Sequence, residues 1–174
     1  IYVPVVAVAA LFSGSNIAIP LLSRDYFDPE TKLNPLLHTW SLGVEEQFYL
    51  FLPISLALFL MVMKRETTDP TQHVQTFLVL AGIFSFALAV LGSSELRGAL
   101  PFGQEFLGFY SPATRLWEFV VGVLVAARPS ISSSLKRFSA GSSAVGIGFI
   151  LLAAFLINEN SRHPGLITIL PVIG

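Results

Sequence analysis

The sequence of 174 residues contains no cysteine and very little charge. Without cysteine, the chain has neither disulfide bridges nor zinc–thiolate sites. Lys, Arg, Asp and Glu supply 12% of the residues, whereas soluble globular domains use roughly one quarter. The net charge is only -1 and no basic stripe is visible along the chain. These deficits exclude a disulfide scaffold, argue against a soluble domain and give no indication of nucleic-acid binding.

Motifs for bound metals and nucleotides are also missing. The three histidines, at positions 38, 73 and 163, share no metal-ligand spacing. The sequence has no H-E-x-x-H, Walker A, G-x-G-x-x-G or G-x-S-x-G pattern. It therefore predicts no metal site, no bound cofactor and no hydrolase elbow.

Apolar residues are what the chain has in abundance, at 53% of the sequence with a mean hydropathy of +0.72. Five apolar runs cover residues 3–22, 47–63, 74–92, 112–127 and 138–157. Each approaches the ~20 residues that a helix needs to cross a membrane, and period-2 alternation is absent. The sequence predicts an all-α, multi-pass transmembrane bundle of about five spanning helices in contact with membrane lipid, residues 166–174 beginning a sixth.

The chain begins at Ile1 rather than at methionine, and its last residues resemble an apolar span that is cut short. We therefore expect an internal fragment of a larger bundle, truncated at both ends. Lys64, Arg65 and Arg128 concentrate positive charge after the second and fourth runs. The positive-inside rule then predicts that these joints face the cytoplasm.

A polar stretch leads into the second apolar run. The spacing predicts a helix capped by Ser41, whose side chain would accept an amide hydrogen bond. Spacings of i, i+4, i+7, i+8 and i+11 place Ser41, Glu45, Phe48, Tyr49 and Leu52 on one helix face, whereas Glu46 lies about 100° away. A carboxylate that faces a bundle at membrane depth is usually paired or functional. Glu45 is therefore predicted either to act in catalysis or ligand binding or to form an orienting ion pair.

His38, beside Trp40 at the start of this stretch, has two interpretations. His38 is a candidate partner for Glu45, but a histidine beside a tryptophan is also typical of a membrane–water interface and needs no function there.

Two further constellations carry polar groups. Pro112 suits the first turn of a helix with Ser111 as its cap, which places Arg115 and Glu118 at i and i+3 on one face. This pair is either an intrahelical salt bridge or a means of holding an anionic substrate. In residues 13–16 (SGSN), small side chains favour close helix approach, while Asn16 needs hydrogen-bond partners if it is buried.

Several of these stretches resemble a known family. Residues 26–29 (YFDP) and 34–53 (NPLLHTWSLGVEEQFYLFLP) are similar to motifs of the acyltransferase 3 family of multi-pass membrane O-acyltransferases. The resemblance extends to residues 109–118 (FYSPATRLWE), to 163–165 (HPG) and to 170–171 (LP). The resemblance spans most of residues 1–174, which would form part of that family's transmembrane domain. The motifs resemble those of members that carry a C-terminal SGNH domain.

The resemblance implies transfer of an acyl group, usually acetyl, from cytoplasmic acyl-CoA to a hydroxyl of an extracytoplasmic carbohydrate such as O-antigen or peptidoglycan. It implies residence in the cytoplasmic (inner) membrane. The family's arginine–histidine pair, ten residues apart in the first transmembrane helix, is absent from this sequence and would lie before Ile1. The chain by itself is therefore expected to be inactive.

Acyl transfer needs a base for the hydroxyl proton and donors for the developing oxyanion. The candidate catalytic residues are His38 and Glu45; the candidate substrate-binding residues are Asn16, Trp40, Ser41, Tyr49, Arg115 and Glu118. Two alternatives stay open. A transporter or flippase would also use ionisable residues and proline-broken helices, and a structural subunit would use them only as interhelical contacts.

Overall fold

The computed structural model describes residues 2–22, 29–63, 70–94, 107–127, 136–158 and 165–174. Within these ranges every regular element is a helix, as predicted. The described ranges contain eight α-helices: α1 (Val3–Leu11), α2 (Ser15–Leu22), α3 (Pro29–Lys32), α4 (Thr39–Met63), α5 (Pro70–Ser93), α6 (Pro112–Ala126), α7 (Lys136–Leu156) and α8 (Ile169–Ile173). A 3-10 turn, Leu166–Thr168, precedes α8.

Two of the helices in the described ranges, α4 and α5, are long and apolar enough to span a membrane. The prediction of five spanning helices is not supported. The first apolar run is divided between α1 and α2, and α6 has 15 residues, which extend only about 22 Å where the hydrocarbon core measures about 30 Å. The described apolar part of α7, Gly141–Leu156, is also shorter than a full span.

The division of the first run occurs at Ser13. The amide of Gly14 donates to Ala9 O (2.8 Å) and that of Ser13 to Ala10 O (3.2 Å), the two bonds of a Schellman motif that ends α1. Ser13 occupies the left-handed position with φ 56°, where glycine is usual. The Gly14 carbonyl then accepts from Ile17 N and starts α2. The hydropathy pattern averages over this turn, which is why it predicts a single span.

The start of α4 differs from the prediction. The helix begins at Thr39, so Ser41 lies inside its first turn and is not the cap. Its hydroxyl donates instead to the His38 carbonyl (3.1 Å). The Thr39 hydroxyl makes the same kind of bond to Leu36 O (2.7 Å). A hydroxyl that binds the carbonyl three residues earlier is not free to cap the helix, which agrees with a helix start before Ser41. Pro53 lies within α4, which continues as a helix on both sides of it.

The start of α6 agrees with the prediction. Ser111 is its cap, accepting from Ala113 N (3.2 Å), and Pro112 occupies the first turn. The hydroxyl of Ser85 on α5 accepts from Trp117 N (3.0 Å) and donates to Ala113 O (2.6 Å). One buried serine therefore bridges two groups that lie one turn apart on α6.

The apolar core lies where α1, α2, the first half of α4 and the segment before α6 meet. Its buried members are Val6, Ile19, Trp40, Val44 and Tyr110. Residues 26–28 and 163–164 of the family motifs, together with Lys64, Arg65 and Arg128, lie outside the described residues.

Candidate functional site

A reciprocal pair of side-chain amides joins the α1–α2 turn to α4. Gln47 Nε2 donates to Asn16 Oδ1 (2.9 Å) and to the Ser13 carbonyl (2.7 Å). Asn16 Nδ2 lies 3.4 Å from Gln47 Oε1 and donates to the Tyr110 carbonyl (3.3 Å). Asn16 is only 3% exposed, so these bonds replace the water that its amide would otherwise need. The prediction that Asn16 must find partners is confirmed.

Gly43 permits this close approach. A Cβ built on it would lie 3.0 Å from Ser13 O and 3.2 Å from Asn16 Oδ1. Ser15, which is fully buried, donates its hydroxyl to Thr39 O (2.6 Å) one turn earlier on α4. The small side chains of residues 13–16 therefore bring two helices together, as predicted.

Glu46 contacts the same turn from its outer side. The hydroxyl of Ser13 donates to Glu46 Oε2. Because Gln47 binds the carbonyl of Ser13, two consecutive residues of α4 hold this serine, one through its side chain and one through its backbone. Glu46 is an exposed residue, so its carboxylate stands at the surface of the described part.

A second cluster surrounds the guanidinium of Arg115. Its Cζ lies 4.9 Å from the centroid of the Trp40 ring and 4.6 Å from that of Phe109, within range of cation–π attraction. Nε donates to Phe109 O (3.1 Å), and Nη1 lies 3.5 Å from Glu118 Oε2. The Arg115 and Glu118 side chains are 17% and 24% exposed, so pairing offsets part of the desolvation of both charges.

The backbone of residues 109 and 110 connects the two clusters. The Phe109 carbonyl accepts from Arg115 and the next carbonyl, of Tyr110, accepts from Asn16. The rings of these two residues pack on Trp40, with centroid distances of 4.8 Å and 5.5 Å. Three separate parts of the sequence thus meet at one site, which we call the amide–arginine site: Ser13 and Asn16; Trp40, Glu46 and Gln47; Phe109, Tyr110, Arg115 and Glu118.

Four predicted site residues come together here: Asn16, Trp40, Arg115 and Glu118. The predicted Arg115–Glu118 salt bridge is present. Trp40 is buried against Arg115 and Phe109, so its position is explained by packing within the protein and does not require an interfacial anchor.

The other four predicted residues lie apart from this site. His38 is exposed, Ser41 bonds to a local carbonyl, and Glu45 is half-buried. Tyr49 is 66% exposed. The buried face of α4 contains Trp40, Gly43, Val44 and Phe48; Glu45 lies about 140° around the axis from Trp40. Of the predicted shared face, Phe48 is buried, whereas Ser41, Glu45 and Tyr49 are not part of the buried face of α4 in the described residues.

Gln47 and Glu46 are the functional candidates that sequence reasoning missed. Positions 40, 43, 44, 47 and 48 follow i, i+3, i+4, i+7 and i+8, the spacing of one packed helix face. That pattern, anchored on the tryptophan, would have placed Gln47 inward. In the described residues no three His, Asp or Glu side chains are grouped to hold a metal ion.

Known proteins that are similar to this chain include an uncharacterised protein and two named as O-acetyltransferases. The chain is 31% identical over 160 residues to an uncharacterised protein of Haemophilus influenzae, covering 87% of this chain and 60% of that one. It is 31% identical over 122 residues to the "Putative peptidoglycan O-acetyltransferase YrhL" of Bacillus subtilis, covering 69% of this chain and 17% of that protein. A "Putative O-acetyltransferase" of Staphylococcus aureus (strain COL) is 29% identical over 119 residues, covering 68% and 18%.

No protein-family model and no solved structure matches the chain. The chain spans 60% of the length of the Haemophilus influenzae relative and less than a fifth of the other two. Two of these three relatives are named as putative O-acetyltransferases.

Proposed function

We propose that this chain forms part of an integral-membrane O-acyltransferase of the acyltransferase 3 type. The enzyme moves an acetyl group from acyl-CoA to a hydroxyl of an extracytoplasmic carbohydrate such as O-antigen, peptidoglycan or another surface glycan. It acts in the cytoplasmic membrane. A C-terminal SGNH domain in the protein from the whole gene is part of the same proposal.

The observation that carries the proposal is the similarity to relatives named as O-acetyltransferases, one of them for peptidoglycan. Two helices with the length and hydropathy of membrane spans support placement in a membrane. The amide–arginine site adds chemistry that suits the reaction, since it holds a largely buried cation beside a turn whose backbone is fixed from two sides.

In this proposal Arg115 binds an anionic or carbonyl oxygen of a substrate. A guanidinium carries five N–H donors, and the contacts to Phe109 O and Glu118 use two of them. The two aromatic rings and Glu118 fix its orientation, so no side-chain rearrangement is needed when a negative charge develops nearby. His38 and Glu45 stay predictions as catalytic residues, and Ser41 and Tyr49 stay predictions as substrate contacts.

The test expresses the protein from its whole gene in a strain deleted for that gene. Base-labile acetate released from the isolated cell envelope measures O-acetylation without assuming which glycan is the acceptor. Wild type should restore it, whereas Arg115→Gln at matched membrane abundance should lower it at least about tenfold. Gln75→Ala, an exposed position on α5, is the matched control. Wild type without any effect on envelope acetate would refute the proposal.

One observation favours a second candidate, a carbohydrate or acyl-group transporter. The division of the first apolar run into α1 and α2, with polar groups at the break, resembles the discontinuous helices of transporters. A transporter moves its substrate without covalent change. Radiolabelled acetate that becomes ester-linked to glycan when the purified protein is reconstituted with acetyl-CoA and envelope glycan would exclude this alternative.

A further inference from the structure

The amide–arginine site lies at the end of the bundle where α4 begins. Trp40 is the second residue of α4, whereas the connection to α5 follows Met63. A helix rises about 1.5 Å per residue, so these two residues lie about 35 Å apart along the axis of α4. The hydrocarbon core of a bilayer is about 30 Å thick. The site and the α4–α5 connection therefore belong to opposite faces of a membrane that α4 spans.

Contacts between α5 and α6 give the same arrangement. Ser85 on α5 binds the Trp117 amide on α6, and a Cβ built on Gly82 would lie 3.1 Å from Val120 Cγ1. Because lower residue numbers on α5 meet higher ones on α6, the two helices are antiparallel. The first turn of α6, with Arg115, therefore lies at the end of α5 that is remote from the α4–α5 connection.

Positively charged residues mark the other end of these helices. Lys64 and Arg65 follow α4, and Arg128 comes two residues after the end of α6. The positive-inside rule predicts that both connections face the cytoplasm, since acidic residues count little in it. The amide–arginine site then faces the extracytoplasmic side. In the proposed function the acceptor carbohydrate is on that side, whereas acyl-CoA is in the cytoplasm.

The guanidinium of Arg115 has capacity for a second anion beside Glu118. Its Nη1 lies 3.5 Å from Glu118 Oε2, which is longer than the roughly 2.7–2.9 Å of a charge-assisted hydrogen bond. In the described part of the chain, the contacts to Glu118 and Phe109 O leave three of the five N–H donors for a ligand. A planar guanidinium held against two rings matches the geometry of a carboxylate or a phosphate.

We propose that the amide–arginine site binds the carbohydrate acceptor on the extracytoplasmic side, with Arg115 holding a carboxylate or phosphate of an acidic glycan. This inference rests on the proposed acyltransferase function and names the substrate that Arg115 serves. Arginine stays protonated in proteins and takes up no proton. Arg115 therefore selects the acceptor, and the base that removes the hydroxyl proton lies elsewhere in the enzyme.

The first experiment tests the orientation without measuring activity. Leu33, shortly before α4, is 69% exposed, and Gln72 is exposed near the start of α5. Leu33→Cys and Gln72→Cys are made singly in a cysteine-free form of the protein from its whole gene. A membrane-impermeant maleimide should label Leu33→Cys in sealed spheroplasts and Gln72→Cys only after permeabilisation. The reverse pattern, or labelling of both in sealed spheroplasts, overturns the inference.

The second experiment measures initial rates of acetyl transfer from radiolabelled acetyl-CoA with the whole-gene protein purified in detergent. The acceptor is glycan from the deletion strain, either native, carboxyl-reduced or freed of phosphate. Arg115→Gln should raise KM for native glycan at least about tenfold, because hydrogen bonds to a charged group are lost. KM for acetyl-CoA should stay within about twofold. Gln75→Ala is the matched control.

The modified glycans identify the group that Arg115 binds. Wild type should show a similar rise in KM with either the carboxyl-reduced or the phosphate-free glycan, and Arg115→Gln should show no further rise with that glycan. If Arg115→Gln does not reach the membrane, the wild-type values decide.

Failure of this inference and failure of the proposed function give different results. If wild type uses all three glycans equally well, or if Arg115→Gln raises KM for acetyl-CoA and not for glycan, the inference is wrong and the proposed function stands. Wild type that transfers acetyl to none of the glycans refutes the proposed function itself.

Discussion

The two halves of α4 are built for different surroundings. Its first half packs Trp40, Gly43, Val44 and Phe48 against other elements and contributes polar bonds from Gln47. Its second half exposes large apolar side chains, with Met61 and Val62 at 70% and 77%. Hydropathy treats the whole helix as one span. Packing divides it into a region that builds the site and a region left bare for lipid or for another part of the protein.

The largest expected effect tests whether the bare half faces lipid. Leu58→Asp places a charge in the second half of α4, where the leucine is 58% exposed, and should weaken membrane insertion by about 3 kcal/mol. The control is Leu33→Asp, at a similarly exposed leucine outside both candidate spans. Membrane and soluble fractions measure insertion. If both variants lose only a small and equal share of membrane insertion, the second half of α4 lies in water.

The second-largest expected effect, on the free energy of unfolding, tests the packed first half of α4. Gln47→Leu removes the donor to the Ser13 carbonyl and to Asn16 and leaves buried polar groups without their partner, which should lower the free energy of unfolding by about 2 kcal/mol. Gln75→Leu, the same change at an exposed position of α5, should stay within about 0.5 kcal/mol. Thermal unfolding in detergent measures both. A similar melting temperature for the two variants would contradict the amide pair.

A smaller expected effect on stability comes from replacing glycine by alanine at the packed and at an open position. Gly43→Ala puts a Cβ 3.0 Å from the Ser13 carbonyl and should destabilise by about 1.5 kcal/mol through overpacking. Gly122→Ala on α6, where a Cβ meets nothing within 4 Å, should be neutral or stabilising by up to about 1 kcal/mol. A ranking of melting temperatures with Gly43→Ala above Gly122→Ala would mean that the helices do not approach this closely.

The smallest effect concerns Arg115. Arg115→Lys keeps the charge but loses the planar contact with the Trp40 and Phe109 rings and the bond from Nε, at a cost of about 1 kcal/mol in unfolding free energy. The melting temperature should fall slightly. If Arg115 also binds substrate, acetyl transfer should fall by a larger factor than the loss of stability explains. If the loss of transfer matches the loss of folded protein, the role of Arg115 is structural.

Local features of this molecule could be predicted from the sequence. The Ser111 cap, Pro112 in the first turn and the Arg115–Glu118 bridge each depend on residues within one or two turns of each other. The all-helical class follows from the apolar runs. In each case the information lies inside a single segment.

The inward face of α4 is only partly marked in its sequence. The spacing of positions 40, 43, 44, 47 and 48 indicates a packed face in the first half, whereas apolar side chains surround the second half and carry little signal for which face packs. The helix phase is set by Gly43 and Gln47 meeting the turn at Ser13, which is a contact across more than 30 residues of sequence. The hydropathy pattern does not show the turn itself, because Ser13 and Gly14 lie within an otherwise apolar run.

The bridge made by Ser85 has a consequence for how α5 and α6 come apart. Its hydroxyl contacts both the Trp117 amide and the Ala113 carbonyl, which are also the donor and the acceptor of one i to i−4 pair within α6. Docking of α5 therefore adds a side-chain partner to an amide that α6 itself can hold. The slowing of deuterium exchange at Trp117 that is lost in Ser85→Ala measures what this docking adds to the protection given by α6.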